Sequence, residues 1–132
     1  MTYYYNIDSK QHEVRIDEEK EHCHLVYINK RNVYQDGILE ERAMNDLTPI
    51  AFVAYCYLSI KPRKYVWAVS LESLPMDEED AQNALNELIG KGYLEPCNMS
   101  LCDKNGEVVE VDGFAFYEQP ARNRRYYRGE EY

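Results

Sequence analysis

Residues 71–94 read LESLPMDEEDAQNALNELIGKGYL and carry the strongest structural signals in the chain. Asp77 suits a helix N-cap, because its carboxylate can accept hydrogen bonds from the free N–H groups of the first turn, and Asp80 follows at the capping-box position. Glycine favours the left-handed conformation that ends helices, so Gly90-Lys91-Gly92 marks a C-terminus. These signals predict a helix from Glu78 to about Ile89. Its apolar stripe consists of Ala81, Leu85 and Leu88, with Ala84 beside them.

A second helix is predicted upstream. Thr48-Pro49 is a strong start signal, because threonine can cap the free N–H groups and the missing N–H of proline costs nothing at the first helical position. This helix covers Ile50 to Ile60 and ends at Lys61-Pro62, where proline forbids its continuation. A shorter helix is predicted from Ile38 to Asp46. The residues spaced for the buried face of the second helix are Phe52, Val53, Cys56 and Tyr57.

Short runs of β-forming residues predict the strands. Asn105-Gly106 between two such runs is a strong signal for a β-hairpin, and Asp112-Gly113 is a second turn signal. Residues 70–74 are predicted to form a short helix between a strand and the helix of Glu78 to Ile89. The predicted strands cover residues 24–29, 65–69, 93–95, 99–103, 107–111 and 114–117.

The order helix, strand, short helix, turn, helix and hairpin resembles the helix-turn-helix of bacterial winged-helix proteins. The upstream part, Val26-Tyr27-Ile28 through Gly37-Ile38-Leu39 to Thr48-Pro49, is similar to the N-terminal part of phage and plasmid replication initiators and replisome organisers of low-GC bacteria. The resemblance covers residues 24–118. It implies an α+β winged helix-turn-helix with three helices, a β-hairpin wing and an N-terminal strand-containing extension. The residues that carry the helix-turn-helix similarity are Leu71, Leu74, Met76, Ala81, Leu85, Leu88, Gly92, Tyr93 and Leu94.

The chain has 132 residues, a length that suits one domain with short appendages. We expect an N-terminal arm over residues 1–22, a winged-helix domain over residues 23–118 and a basic, tyrosine-rich, mobile tail over residues 119–132. The arm is expected to be a strand at best, or to be mobile. No apolar run reaches the roughly 18 residues that span a bilayer, and the N-terminus lacks a secretion signal. The sequence therefore predicts a protein of the bacterial cytoplasm that has no contact with a membrane.

The formal net charge is −9 and the sequence pI is about 4.8. Nonspecific nucleic-acid binding comes mostly from lysine and arginine, so this charge disfavours it. Between Leu71 and Glu95 seven acidic residues stand against one lysine, a local charge of −6. Acids in a first helical turn also stabilise any helix, by about 0.3–1 kcal/mol each, so a purely structural explanation stays open. The residues at the family's DNA-reading positions are Asp77, Glu78, Glu79, Asp80, Gln82, Asn83 and Asn86.

Two functions stay open. The first is a non-enzymatic phage or mobile-element protein that binds a basic protein surface, as an inhibitor or DNA mimic of a nucleic-acid-binding protein; phage inhibitors of bacterial defence, including anti-CRISPR proteins, are one such class. The second, which the resemblance implies, is a DNA-binding replication initiator or transcriptional regulator, and whether it forms a homodimer is left open. The first assigns partner binding to Asp77, Glu78, Glu79, Asp80, Gln82, Asn83, Lys104, Asn105 and Glu107. The second assigns contact with double-stranded DNA to Lys61, Arg63, Lys64, Arg122, Arg124, Arg125 and Arg128.

Motifs of catalysis are not found in the sequence. It has no phosphate loop, nucleophile elbow or pair of metal ligands on one helix face, so we expect no enzyme, no cofactor and no bound metal. Cys97 and Cys102 are five residues apart, which is not a usual zinc spacing, and His22-Cys23-His24 would have to complete such a site from afar. In a reducing cytoplasm the cysteines are expected to be free thiols, with Cys56 in the core.

Overall fold

The computed structural model describes residues 2–16, 24–30, 37–62 and 64–117. Within these ranges the chain forms six strands, three α-helices and one short 3-10 helix. The strands are β1 (Thr2–Ile7), β2 (Lys10–Arg15), β3 (His24–Asn29), β4 (Val66–Ser70), β5 (Leu94–Cys102) and β6 (Val108–Phe116). The helices are α1 (Gly37–Asp46), α2 (Pro49–Ser59) and α3 (Glu78–Gly90), and the 3-10 helix is Leu71–Ser73.

The strands form one mixed sheet in the order β2-β1-β5-β6-β3-β4. Neighbouring strands are antiparallel except β3 and β6, which run parallel. The sheet curls until its two edges approach each other. Across the gap, the Tyr5 hydroxyl of β1 accepts a hydrogen bond from the Val66 N–H of β4 at 2.9 Å. The His12 ring of β2 meets the Tyr65 ring edge-on, with centroids 4.7 Å apart. The sheet is therefore nearly closed into a barrel.

Side chains alternate between the two faces of each strand, and this alternation separates two apolar clusters. The inner face fills the barrel, while part of the outer face is covered by the helices. The buried residues of the inner cluster are Tyr3, Val14, Ile16, Val26, Val66, Met99 and Leu101. The largest buried side chains of the outer cluster are Tyr27, Tyr55, Leu58, Leu88, Tyr93, Leu94 and Phe116. The N-terminal strands thus contribute to the barrel core.

The ends of α3 follow the sequence signals. The Asp77 carboxylate accepts a hydrogen bond from the Asp80 N–H at 2.8 Å, which confirms the predicted N-cap. Gly92 has a φ of +86°, and the Tyr93 N–H donates to the Leu88 carbonyl at 2.9 Å, so the helix ends at the predicted glycines. All four residues of the predicted stripe, Ala81, Ala84, Leu85 and Leu88, are buried.

The predicted winged helix-turn-helix fold is wrong. The predicted order from α2 through the short helix and α3 to the β5–β6 hairpin is present. However, β3 lies between β6 and β4, the middle helix is a single 3-10 turn, and β1 and β2 extend the sheet beyond β5. The result is a six-stranded, nearly closed sheet rather than a three-helix domain with a small wing. The physical reason is that β3 and β6 are distant in sequence, so no local signal announces their pairing.

The predicted turn at Asp112-Gly113 is also wrong, because β6 runs unbroken from Val108 to Phe116. The glycine serves a close approach between strands. A Cβ atom at Gly113 would stand 2.6 Å from the Val26 carbonyl oxygen of β3 and 2.7 Å from the terminal methyl carbon of Met99. The Asp-Gly pair, which often marks a turn, therefore lies inside a strand here, at a point where two strands pass close to each other.

The predicted buried face of α2 is wrong as well. Val53 is 40% exposed, and Phe52, Cys56 and Tyr57 are only partly buried. The residues of α2 that are buried are Ala51, Ala54, Tyr55, Leu58 and Ser59. Because α2 carries apolar residues around most of its circumference, periodicity alone does not select the face that packs.

The start of α2 departs from the predicted cap. Thr48 precedes the helix and Pro49 begins it, as predicted, but the Thr48 side chain makes no capping hydrogen bond. Instead, the Glu87 carboxylate of α3 accepts one hydrogen bond from the Thr48 N–H and one from its hydroxyl, each at 2.8 Å. The threonine therefore ties α2 to α3.

Candidate interaction surfaces

The net charge is concentrated in one part of the chain. Residues 71–117 contain eleven of the twenty-four acidic residues but only two of the fifteen lysines and arginines. This segment, which covers α3 and the β5–β6 hairpin, therefore carries a charge of −9, equal to that of the whole chain. The remaining residues balance to zero.

The first turn of α3 presents its carboxylates to solvent. Asp77 is occupied as the helix N-cap, whereas Glu78 and Glu79 are exposed and Asp80 is partly exposed. Within the described ranges, no basic side chain forms an ion pair with Glu78, Glu79 or Asp80. The next turns continue this face with exposed amides. They belong to Gln82, Asn83 and Asn86.

Two further carboxylates lie on β6. Glu110 accepts a hydrogen bond from the Ser100 hydroxyl at 2.9 Å, and Asp112 accepts one from the Asn98 amide at 3.0 Å. Both donors are neutral, so the carboxylates keep their charge uncompensated there. Alternation along β6 puts Glu110 and Asp112 on the face that continues into Phe114 and Phe116, and those two residues pack under the helices. The β6 and α3 carboxylates therefore share the helix-bearing side of the molecule.

We call this region the acidic surface; it comprises Glu78, Glu79, Asp80, Glu110 and Asp112. Sequence reasoning identified its α3 part and missed Glu110 and Asp112. The alternation of valine with acids in residues 108–112, VVEVD, is the signal that could have found them, because it indicates a strand with one charged face.

The other predicted partner-binding residues lie elsewhere. Lys104, Asn105 and Glu107 are exposed at the tip of the β5–β6 hairpin, at the end of β5 opposite to the end that follows α3. The Asp103 carboxylate holds this turn by accepting hydrogen bonds from the Asn105 N–H at 2.8 Å and the Glu107 N–H at 3.0 Å. The hairpin at Asn105-Gly106 is confirmed, and its tip is separated from the end of α3 by the length of β5.

A second surface has the opposite charge. We call it the basic–aromatic surface and define it by Tyr57, Lys61, Lys64, Tyr65 and Trp67. The Lys61 ammonium lies 5.2 Å from the Trp67 ring centroid and 6.0 Å from the Tyr57 ring centroid. Lys64 is exposed, and the Tyr65 and Trp67 rings are 6.2 Å apart.

Sequence reasoning chose the two lysines of this surface and missed its three aromatic residues. The other predicted nucleic-acid contacts lie outside the described residues. These are Arg63, Arg122, Arg124, Arg125 and Arg128.

Buried Asn29 holds the loop that carries the basic–aromatic surface. Its amide donates to the Lys61 carbonyl at 2.5 Å, and its own backbone carbonyl accepts from the Lys64 N–H at 2.7 Å. The Trp67 indole N–H donates to the Pro62 carbonyl at 3.2 Å. The loop between α2 and β4 is therefore fixed at both ends to the end of β3.

The three cysteines that the structure describes are not gathered into one site. Cys97 packs against the barrel core, and Cys102, an odd number of residues further along β5, lies on the opposite face. Cys56 is partly buried against the outer cluster. His22 and Cys23 lie outside the described residues, and residues 2–16, 24–30, 37–62 and 64–117 hold no group of three potential metal ligands.

Within residues 2–16, 24–30, 37–62 and 64–117, no helix is both long and apolar enough to cross a membrane. Comparison of the chain with protein-family models, with curated proteins and with solved structures finds no match.

Proposed function

We propose that this chain is a non-enzymatic binding module whose acidic surface binds the basic, nucleic-acid-binding surface of a partner protein and competes there with nucleic acid. The observation that carries the proposal is the segregation of charge: residues 71–117 hold the whole net charge of −9. Their carboxylates on α3 and β6 share one side of the molecule.

Carboxylates can take the place of phosphates on such a partner. Arginine and lysine side chains that bind phosphate oxygens also form charge-assisted hydrogen bonds with carboxylates, and arginine does so in a bidentate manner. A surface of one sign also steers an oppositely charged partner and speeds its association. The exposed amides of Gln82 and Asn83 beside the acids add neutral donors and acceptors to the same face.

A structural role alone accounts for only part of the acidic surface. Helix capping and the helix dipole explain acids in the first turn of α3, including Glu78 and Glu79. The same effects do not act on Glu110 and Asp112, which lie in a strand. These two carboxylates, on the same side as α3 and bonded to neutral donors, favour a surface selected for its charge.

The test replaces three carboxylates of the acidic surface by amides, in the variant E78Q/E79Q/E110Q. The control, D8N/E13Q/E41Q, removes three exposed carboxylates elsewhere and makes the same change in net charge. Each protein is immobilised and exposed to a nuclease-treated bacterial lysate fraction that binds heparin, which is enriched in nucleic-acid-binding proteins. Retained proteins are then challenged with duplex DNA.

We expect the unmodified chain and the control to retain a protein that duplex DNA displaces, and the E78Q/E79Q/E110Q variant to lose it. Retention that is equal for all three chains, or that DNA does not displace, would rule out the proposal. If the chain retains nothing but itself binds the added duplex, DNA binding becomes the better function. Thermal unfolding of each variant checks that the fold is kept.

A further inference from the structure

The basic–aromatic surface comes from a segment of the chain that contains no acidic residue. Between Asp46 and Glu72 the sequence contains Lys61, Arg63 and Lys64 but no acidic residue. Lys61 lies near the Tyr57 and Trp67 rings, and Lys64 immediately precedes Tyr65, whose ring is next to that of Trp67. Positive charge interleaved with aromatic rings is the combination that single-stranded nucleic acids recognise, because phosphates meet the cations and bases stack on the rings.

The rings are held before any ligand arrives. Trp67 is fixed by its hydrogen bond to the Pro62 carbonyl, and the Tyr57 hydroxyl is hydrogen-bonded to the Ser73 hydroxyl at 3.1 Å. Tyr65 lies between Trp67 and His12, 6.2 Å and 4.7 Å from their ring centroids. A preorganised row of rings loses little conformational entropy on binding, which favours stacking.

A third lysine extends the surface past the end of β3. The Lys30 N–H donates to the Phe116 carbonyl at 2.9 Å, and its ammonium lies 6.0 Å from the Tyr117 ring centroid. Because the preceding residue, Asn29, accepts the Lys64 N–H, Lys30 and Lys64 belong to the same end of the sheet. Lys61 therefore lies near the aromatic rings, and Lys64 and Lys30 lie at the same end of the sheet.

We propose that this surface binds single-stranded nucleic acid, with unpaired bases stacked on Tyr65 and Trp67 and the phosphates in contact with Lys61, Lys64 and Lys30. A cation–π contact at an exposed site is weaker than base–aromatic stacking, so a base can replace the Lys61 ammonium over the Trp67 ring while the ammonium turns to a phosphate. A duplex hides its base faces and offers only phosphates. An acidic peptide can likewise form ion pairs with the lysines, but it has no base to stack on the aromatic rings.

The net charge of −9 does not prevent such binding at ordinary ionic strength. It resides in residues 71–117, whereas at about 0.15 M salt charges separated by more than about 8 Å are largely screened. Glu72, next to Ser73, borders the site at its Tyr57 end. The Lys30, Lys64 and Tyr65 end is further from that carboxylate along the surface, so we expect it to carry most phosphate contacts.

The chain contains one tryptophan, Trp67, so its fluorescence reports on this site alone. The full chain is titrated with dT12, with an abasic strand of the same length, with a 12-base-pair duplex and with a dodecamer of aspartate, at about 25 mM salt. We expect saturable quenching by dT12 and none by the abasic strand or the aspartate peptide, because quenching requires a stacked base. No quenching together with no change in anisotropy of labelled dT12 would overturn the proposal. Binding of the aspartate peptide as tight as that of dT12 would identify a site for acidic peptides instead.

Substitutions locate the site. The variant K61Q/K64Q removes two phosphate contacts, so the slope of log K against log salt is expected to become less steep by about 1.4. The control R15Q/R42Q removes two exposed cations elsewhere and should leave both the affinity and the slope for dT12 unchanged.

Y65L removes one stacking ring and is expected to weaken dT12 binding by about fivefold or more, measured by anisotropy. An equal effect of the two double variants would show nonspecific attraction and contradict the proposal. These experiments test a different surface with a different ligand, so they fail or succeed separately from the proposed function.

Discussion

Gly113 lies where β6 passes close to β3, and a Cβ atom at this position would meet the Val26 carbonyl. Aspartate followed by glycine commonly marks a turn, but here the pair lies inside β6. The missing Cβ lets β6 pass the Val26 carbonyl of β3. The pairing of β3 with β6 distinguishes this sheet from that of a winged helix. The same pairing explains why position 113 requires glycine.

The substitution G113A tests this requirement. Its methyl group would stand 2.6 Å from the Val26 oxygen, so the strands have to separate, and we expect a loss of about 1–3 kcal/mol in the free energy of unfolding. The matched control is G90A, where a Cβ meets nothing within 4 Å at the end of α3; it should be neutral or slightly stabilising. Urea denaturation measures both. A G113A protein as stable as the unmodified chain would contradict the close approach of β3 and β6.

The buried phenol of Tyr27 is expected to make stability depend on alkaline pH. Burial raises the pKa of Tyr27 well above its ordinary value of 10.0, and its hydroxyl donates to the Leu58 carbonyl at 3.0 Å. In the unfolded chain the phenol ionises near pH 10, so above this pH ionisation favours unfolding. The contribution of Tyr27 to stability is complete below pH 10 and falls by about 1.4 kcal/mol per pH unit above it.

The variant Y27F isolates that contribution. It loses the hydrogen bond to Leu58, a pH-independent cost of about 0.5–1.5 kcal/mol, but it has no phenol to ionise. Urea unfolding between pH 8 and about pH 11 should therefore give a shallower decline for Y27F than for the unmodified chain. Parallel curves for the two proteins would show that Tyr27 is accessible to hydroxide in the folded state.

The contact between α2 and α3 depends on the carboxylate of Glu87, and no sequence signal predicts this role. Glu87 accepts two hydrogen bonds from Thr48 and lies 3.7 Å from the Lys91 ammonium of its own helix. We expect E87A to lower the free energy of unfolding by about 1–2 kcal/mol, the usual cost of losing a helix cap. E41A, which removes an exposed glutamate from α1, is the control.

A double-mutant cycle with T48A separates this contact from other effects of E87A. If the two side chains interact as described, the cost of E87A is smaller when Thr48 is already alanine, by about 0.5 kcal/mol or more. Additive costs would mean that the Thr48 hydroxyl contributes nothing to the contact, because T48A leaves the bond from the Thr48 N–H to Glu87 in place.

The elements with local signals could be predicted from the sequence. The Asp77 cap, the terminal glycines and the hairpin turn predict α3 and β5–β6 because each rests on hydrogen bonds between residues close in the chain. The buried face of α2 could not be predicted in the same way. Its buried face combines the small Ala51 and Ala54 with the large Tyr55 and Leu58, while Ile50 and Val53, which are equally apolar, remain exposed.

The order of the strands in the sheet could not be predicted from the sequence, whereas the concentration of negative charge could. The parallel pairing of β3 with β6 joins two segments that are far apart in sequence. By contrast, the acids of residues 71–95 were visible as a cluster, because charge is a property of composition. What the sequence did not reveal is that Glu110 and Asp112 join this cluster on one side, while Tyr65 and Trp67 join the lysines elsewhere.

We expect the acidic surface and the basic–aromatic surface to influence each other only through long-range electrostatics. The dependence of dT12 affinity on salt concentration tests this expectation. Replacing two carboxylates in E78Q/E79Q lowers the repulsion between the acidic surface and a strand bound at the basic–aromatic surface. At about 10 mM salt the Debye length is about 30 Å, so dT12 binding should tighten; at about 150 mM it is about 8 Å, and the affinity should match that of the unmodified chain. Fluorescence of Trp67 measures both affinities. If the variant binds dT12 more tightly by the same factor at both salt concentrations, the α3 carboxylates must lie beside the bound strand, and the molecule would have one mixed surface rather than two of opposite charge.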